Sequence, residues 1–304
     1  MRTRTVSIKI LPPGFHAESG RRCIVYPEGE SNSYLKFRNF NGKAIYNPSG
    51  KAGEYAAWAC NFFTGCSNDC QYCYCKKGFL AKVWSDKAQL KKCFKDRDHA
   101  LEVFTREIDA NLEALQASGL FFTFTSDPML ADTRDLTMEA IFIALSRGIP
   151  SQILTKRADF LDHPSMKALK LLPGMIAWGF TLTGHDDLEP GASSNFERIY
   201  AMKQLHGMGF KTFASIEPVV DFPSAFSMIN LSLEFCDLYK IGLMSGKRYN
   251  SQERSEADFL LALLKEAPGR YYLKESLIKL LEIDRSDLPA DKFVGIDFNI
   301  FKNF

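Results

Sequence analysis

Residues 57–75 read AWACNFFTGCSNDCQYCYC. The first seven, apolar and aromatic, have the length and composition of a buried strand. The loop that follows carries Cys66, Cys70 and Cys73 in the spacing C-x3-C-x2-C, with Cys75 just beyond. The stretch therefore reads as a strand that ends in a thiol-rich loop. In α/β folds, ligand sites lie at the C-terminal ends of the strands. The same nineteen residues thus predict a fold class and a place for the chemistry.

Outward from this stretch the pattern repeats. Short apolar runs at 120–124, 151–154, 176–181, 211–216 and 237–243 are strand-length. Amphipathic stretches separate them. Leu101, Phe104, Ile108, Leu112 and Leu115 step by three or four and fall on one helix face. Residues 136–147, 195–208, 223–235 and 256–267 also read as helices, with Ser165 and Asn195 as N-caps of the segments they open. Repeated strand–helix units imply an α/β protein with a parallel sheet and right-handed crossovers. Periodicity leaves a doubly wound sheet and a partial barrel equally open. The expected organisation is an irregular N-terminal extension at 1–55, a strand–helix core at 56–245, and a mixed C-terminal tail at 246–304 whose further strands close or cover the core.

The chain has 304 residues, of which 46% are hydrophobic and 24% charged, the composition of an ordinary globular protein. No apolar stretch reaches the roughly 20 residues needed to span a bilayer, and the N-terminus has no signal-peptide h-region, so the expected location is the cytoplasm. The net charge of +2 neither demands nor excludes a nucleic-acid partner. Lysines and arginines do crowd into 76–97, read as a solvated face with a phosphate-facing surface as the alternative. Five of the eight cysteines, Cys60, Cys66, Cys70, Cys73 and Cys75, fall within sixteen residues, while Cys23, Cys93 and Cys236 are scattered. Crowded cysteines in a cytosolic chain point to a metal site rather than to disulfides.

Thiolates are soft ligands suited to iron–sulfur clusters and to zinc. Three closely spaced thiolates hold three corners of a cubane and leave the fourth iron open for a ligand. The competing reading is a closed zinc site with Cys75 or Cys60 as fourth ligand, which makes the chain a non-catalytic, metal-stapled binding module. Structural zinc sites usually add a distant Cys/His pair, and His16, His99, His163, His185 and His206 are isolated in the sequence.

C-x3-C-x2-C with Tyr72 before its last cysteine resembles the signature of the radical S-adenosylmethionine (SAM) superfamily. The likeness extends to SGKAGEYAAWACNFFTGCSNDCQYCY at 49–74, FTFTSDP at 122–128, ILTKR at 153–157 and the segment 179–221, which together are similar to the spore photoproduct lyase-like group. The resemblance implies a partial (β/α)6 TIM-like barrel. It implies a 4Fe–4S cluster on Cys66, Cys70 and Cys73, with SAM chelating the open iron. Reductive cleavage of SAM then yields a 5′-deoxyadenosyl radical that abstracts hydrogen from the substrate. Carried over residue by residue, Ser126 and Asp127 meet the methionine part of SAM, Lys156 its carboxylate, and Thr181 and Thr183 its ribose or carboxylate. Glu217 meets a ribose hydroxyl or a substrate group, and Tyr72 lies near adenine. Arg198 is read as a structural partner of Glu189 or Glu197.

The resemblance further implies a reducing partner such as flavodoxin or ferredoxin, and DNA or a nucleotide as substrate, with a peptide, an RNA or a small metabolite as the alternative. One departure bears on that choice. In spore photoproduct lyases a cysteine two residues before the second-strand serine returns a hydrogen atom to the product radical. The aligned residue here is Phe124, with Cys75 and Cys60 as candidate substitutes.

Overall fold

A computed structural model of the protein describes residues 40–302. The expectations for residues 1–39, including those for Cys23 and His16, lie outside the described residues. Ten strands and eight α-helices follow in chain order. The strands are β1 (Ile45–Tyr46), β2 (Ala59–Cys60), β3 (Phe63–Thr64), β4 (Gln89–Leu90), β5 (Leu120–Phe122), β6 (Ser151–Thr155), β7 (Ile176–Thr181), β8 (Lys211–Val219), β9 (Leu238–Leu243) and β10 (Tyr271–Leu273). The helices are α1 (Arg97–Ala110), α2 (Leu112–Ser118), α3 (Arg134–Ser146), α4 (Ser165–Leu169), α5 (Asn195–Gly207), α6 (Phe222–Ser232), α7 (Ser251–Glu266) and α8 (Glu275–Leu281).

Eight strands form one sheet in the order β1-β2-β5-β6-β7-β8-β9-β10. All neighbours are parallel except β1, which pairs antiparallel with β2 through Ile45↔Cys60 and Tyr46↔Ala59. Strand order follows chain order, as successive right-handed crossovers produce. Residues 40–55, the end of the stretch read as an extension, thus contribute an edge strand to this sheet. The tail contributes β10, and a parallel bridge joins Tyr271 to Phe293.

Side chains alternate across the sheet, as the two-residue period of a strand requires. On β7, Ile176, Trp178 and Phe180 face the helices and join the large outer core, where Trp178 stacks on Phe160 with ring centroids 4.6 Å apart. Ala177 faces the other side, into a separate cluster with Ala59, Phe121, Phe213, Leu238 and Tyr272. Those six residues come from six strands. They meet only because the sheet curls, so its inner face is the inside of a barrel wall. Among the described residues β1 and β10 do not pair, so the barrel is partial. Val294, Phe298, Ile300 and Phe301 of the tail pack against the inner cluster. Gly179 keeps the lumen closed: a Cβ there would strike the ring of Phe213 on β8.

Four local readings are corrected. The stretch 101–115 is two helices, not one. The chain breaks at Asn111, whose Nδ2 donates to Glu107 O at 2.9 Å, yet Phe104, Ile108 and Leu115 still share the buried face. Helix α5 is capped by Ser194, one residue before Asn195. Its hydroxyl accepts from Glu197 N at 3.2 Å and Glu197 answers to Ser194 N at 2.7 Å, a capping box. The Asn195 amide instead receives Thr183 N, at 2.9 Å. Pro164, not Ser165, occupies the N-cap of α4. The run at 57–63 also divides, into β2 and then β3, which leaves the barrel to form a hairpin with β4.

Candidate functional site

The cysteine loop leaves β3 through Gly65, whose φ of +82° lies in the left-handed region. A Cβ there would also collide with the carbonyls of Ser85 and Lys87, so only glycine suits the turn. Hydrogen bonds pin the loop to the ends of the barrel strands. Cys66 N donates to Ser85 O at 3.0 Å, Ser126 Oγ to Gly65 O at 2.7 Å, and Gln71 N to Leu188 O at 2.9 Å. Asp127 is the principal tie. Its carboxylate accepts from Asn68 Nδ2 (2.8 Å), Thr155 Oγ1 (2.6 Å), Lys156 N (2.7 Å) and Met129 N (2.9 Å). The β5 turn, the end of β6 and the thiol loop are thereby locked together.

The loop opens into a cavity of about 440 Å³, within the range of small-molecule sites. Cys66, Cys70 and Cys73 line it, with Tyr72 beside them. Ser126, Asp127, Lys156, Thr181 and Glu217 reach the same cavity from the C-terminal ends of four different strands. Thr183 does not reach it. It is buried, and its hydroxyl accepts from His185 N at 3.2 Å in the turn after β7.

The electrostatics of the thiol wall are distinctive. Burial pushes the Cys66 thiol up to about 12, and raises that of Cys70 against the pull of Lys156. A hydrogen bond with the Cys75 thiol pulls the pKa of Cys73 down. Burial by itself would drive Lys156 towards neutrality, but Cys70, Glu189 and Asp127 outweigh it and raise its pKa. Lys156 Nζ lies 3.9 Å from Glu189 Oε1. Glu189 is itself fully buried and paired with Arg198, as expected from the sequence, and it accepts the Tyr72 hydroxyl. The wall is thus a largely buried set of thiols, two cations and two carboxylates, with Cys66, Cys73 and Lys156 partly open to the cavity.

The opposite wall was not legible in the sequence beyond Glu217. Glu217 Oε2 accepts from Tyr55 Oη at 2.8 Å and from Lys274 Nζ at 2.7 Å. Lys274, 1% exposed, also donates to Lys51 O at 2.9 Å and lies 3.5 Å from Glu54 Oε2. The pair bridges from β8 to the end of β10 across β9, and Gly242 makes the passage. A Cβ at 242 would lie 2.8 Å from Lys274 Cδ and 2.9 Å from Glu217 Oε1. Beneath them, Lys240 is buried between the rings of Tyr55 and Tyr272 and donates to Tyr55 O at 2.7 Å. Phe124 stacks on Phe121, centroids 4.5 Å apart, and the Cys75 thiol lies 3.6 Å from Phe124 O.

The donor set suits an iron–sulfur cluster. Among the described residues no three Cys, His, Asp or Glu side chains converge on one point as ligands of a single ion. Thiolates are the soft donors that a cubane takes, one sulfur to each of three irons. Three such donors spaced along one loop, beside a cavity with a partly buried cation, fit that group.

Comparison with known proteins bears on the architecture. No family model matches the chain. An uncharacterized protein of Methanocaldococcus jannaschii is 24% identical over 194 residues, covering 62% of this chain and 70% of that protein. A spore photoproduct lyase complexed with dinucleoside spore photoproduct superposes with a TM-score of 0.55 at 18% identity, covering 75% of this chain and 79% of the other. The chain shares the fold of spore photoproduct lyase. The curled eight-stranded sheet of this chain is the partial barrel expected from the motifs at 49–74 and 179–221. SuiB of Streptococcus suis bound to S-adenosylmethionine gives a TM-score of 0.49 at 11% identity, over 73% of this chain and 52% of its own, too slight a likeness to argue from.

Proposed function

We propose that the protein is a radical SAM enzyme that holds a 4Fe–4S cluster on Cys66, Cys70 and Cys73, uses S-adenosylmethionine, and acts on DNA or a nucleotide. One observation carries this reading: the three thiols of one loop open into the same cavity as the C-terminal ends of β5, β6, β7, β8 and β9. When bound, the cluster supplies one electron for the reductive cleavage of S-adenosylmethionine, from which hydrogen abstraction follows. The chain's own residues bind and orient. Lys156 sets a partly buried cation beside Cys70, suited to a ligand carboxylate. Glu189 and Arg198 neutralise each other beneath Tyr72 and hold its ring in place. Thr181, Ser215 and Glu217 offer hydroxyls and an acceptor along the barrel mouth. Phe124, Leu154 and Leu243 supply the apolar surface that excludes water. The reading calls for a small reducing protein such as flavodoxin or ferredoxin as electron donor.

The choice of nucleic acid draws on the rim. Lys77, Lys82, Lys87, Lys92 and Lys95 are exposed in the segment that follows the thiols, and Trp84 of that segment lines the cavity. A basic edge beside a deep pocket suits a phosphate backbone from which one base is extruded. Phe124 favours the second reading, a peptide, RNA or small-metabolite substrate, because a stacked ring stands where the lyases place their hydrogen-donating cysteine.

The test is anaerobic reconstitution followed by measurement of iron and sulfide, and of 5′-deoxyadenosine formed with S-adenosylmethionine and dithionite. Cluster and cleavage are expected, and both should disappear in Cys70→Ala. A colourless zinc protein without cleavage would make the chain a metal-stapled binding module. DNA affinity that falls steeply with salt supports the nucleic-acid substrate; no detectable affinity at low salt removes it.

A further inference from the structure

Deep in the thiol loop the fold leaves one polar atom without a partner. Asn68, between Cys66 and Cys70, is 2% exposed and lines the cavity. Its Nδ2 donates to Asp127 Oδ2 at 2.8 Å. The other three bonds of that carboxylate all come from donors, so it offers Asn68 nothing but an acceptor. The NH2 group must therefore face Asp127, and Oδ1 must face away. The backbone is tied as well, with Gly191 N donating to Asn68 O at 3.1 Å. Oδ1 is buried and has no hydrogen-bond partner among the described residues. Native proteins rarely bury a carbonyl oxygen unpaired, and this amide cannot rotate towards a donor without leaving Asp127.

We propose that Asn68 Oδ1 is a ligand contact that accepts an N–H from the amino group of the amino-acid part of S-adenosylmethionine. The inference rests on the radical SAM reading of the cavity and adds a recognition residue to it. The argument is one of complementarity. An acceptor inside the thiol loop needs a donor. Of the groups at the amino-acid end of this ligand, the carboxylate and the sulfonium have no N–H or O–H to give, and the amino group does. The carboxylate has its own partner in Lys156, the partly buried cation that lines the same cavity. The loop thus offers an amide oxygen for the amino group and an ammonium for the carboxylate, a matched pair for an α-amino acid.

Equilibrium binding to reconstituted protein tests this, with S-adenosylmethionine and with its deaminated analogue, in which hydrogen replaces the amino group, as probes. Asn68→Ala should keep its iron and sulfide, weaken S-adenosylmethionine by about tenfold or more, and leave the analogue unchanged. Asn68→Gln, which keeps both an amide N–H for Asp127 and an acceptor oxygen, should retain the preference for the amino-bearing ligand. If Asn68→Ala fails to hold a cluster, this second variant alone decides. Equal weakening of both ligands, or loss of the preference in Asn68→Gln, reduces Asn68 to a loop tie and overturns the proposal. So does unchanged binding, which would mean that a buried water satisfies Oδ1. Wild-type protein that takes up a cluster yet binds no S-adenosylmethionine overturns the functional reading instead, and the inference falls with it.

Discussion

Replacing Lys240 with methionine should stabilise the protein at neutral pH, by an amount that shrinks as pH rises. Lys240 lies on the inner face of β9, fully buried between Tyr55 and Tyr272, with Lys274 nearby. Burial, and then repulsion from Lys274, pulls its pKa from 10.5 down to about 7, against the pull of Glu54 and Glu217. The native state therefore binds fewer protons here than the unfolded chain between about pH 7 and 10.5. Wild-type stability should climb across that window as the unfolded chain loses its proton. At about 1.4 kcal/mol for each tenfold change in the proton equilibrium, the ammonium costs about 5 kcal/mol at pH 7.

Methionine of similar length removes that cost but leaves the carbonyl of Tyr55 without its donor, a loss of about 1–3 kcal/mol. The net gain at pH 7 should be about 2–4 kcal/mol. The pH dependence is the sharper observable, because the lost hydrogen bond cancels from it. The stability difference between Lys240→Met and wild type should fall by about 1.4 kcal/mol per pH unit between 7 and 10. Chemical denaturation at pH 7, 8, 9 and 10 under reducing conditions measures it, and groups common to both proteins drop out of the difference. A difference that stays flat with pH would refute the argument, since Lys240 would then carry the same charge in both states.

Two further perturbations probe the site walls. Gly242→Ala pushes a methyl into Lys274 and Glu217 from 2.8 and 2.9 Å, and should cost about 1–3 kcal/mol by denaturation while the iron content of the opposite wall is unchanged; unchanged stability would show that the pair has room to move. Arg198→Met strands the fully buried Glu189 carboxylate and should cost about 3–5 kcal/mol, with Glu189→Gln on top restoring part of it. Full additivity of the two changes, measured in a double-mutant cycle, would contradict the pairing.

The lyase-like barrel was largely legible because its signals are local. A strand reveals itself by composition and length, and β7 at 176–181 was bounded to the residue from its apolar run. The cysteine loop was legible because one short segment carries Cys66, Cys70 and Cys73, and crowded thiols mark a candidate metal site on their own. The same locality narrowed the partner of Arg198 to Glu189 or Glu197, and the structure chose Glu189. Two helix caps were missed by one residue, at Ser194 and Pro164, because neighbouring polar side chains compete for a cap and backbone dihedrals decide between them, and α7 starts at Ser251 rather than at 256 because its polar first turn carries no apolar period. The break at Asn111 was hidden because the apolar period runs on through it.

By itself, the order of amino acids determined that parallel strands alternate with helices and that three thiols sit at the end of one strand, since both are properties of residues near one another along the chain. Which side chains face those thiols was decided only when the sheet curled. Tyr55, Gly242 and Lys274 are spread over more than two hundred residues, and Lys274 reads alone as an ordinary surface lysine. Pairing in the curled sheet sets β8, β9 and β10 side by side, and the missing side chain at 242 lets Lys274 reach Glu217. The same curl turned Asp127 from a turn residue into the tie that aims Asn68. Contacts of this kind depend on the register between strands, which no single stretch of the chain encodes.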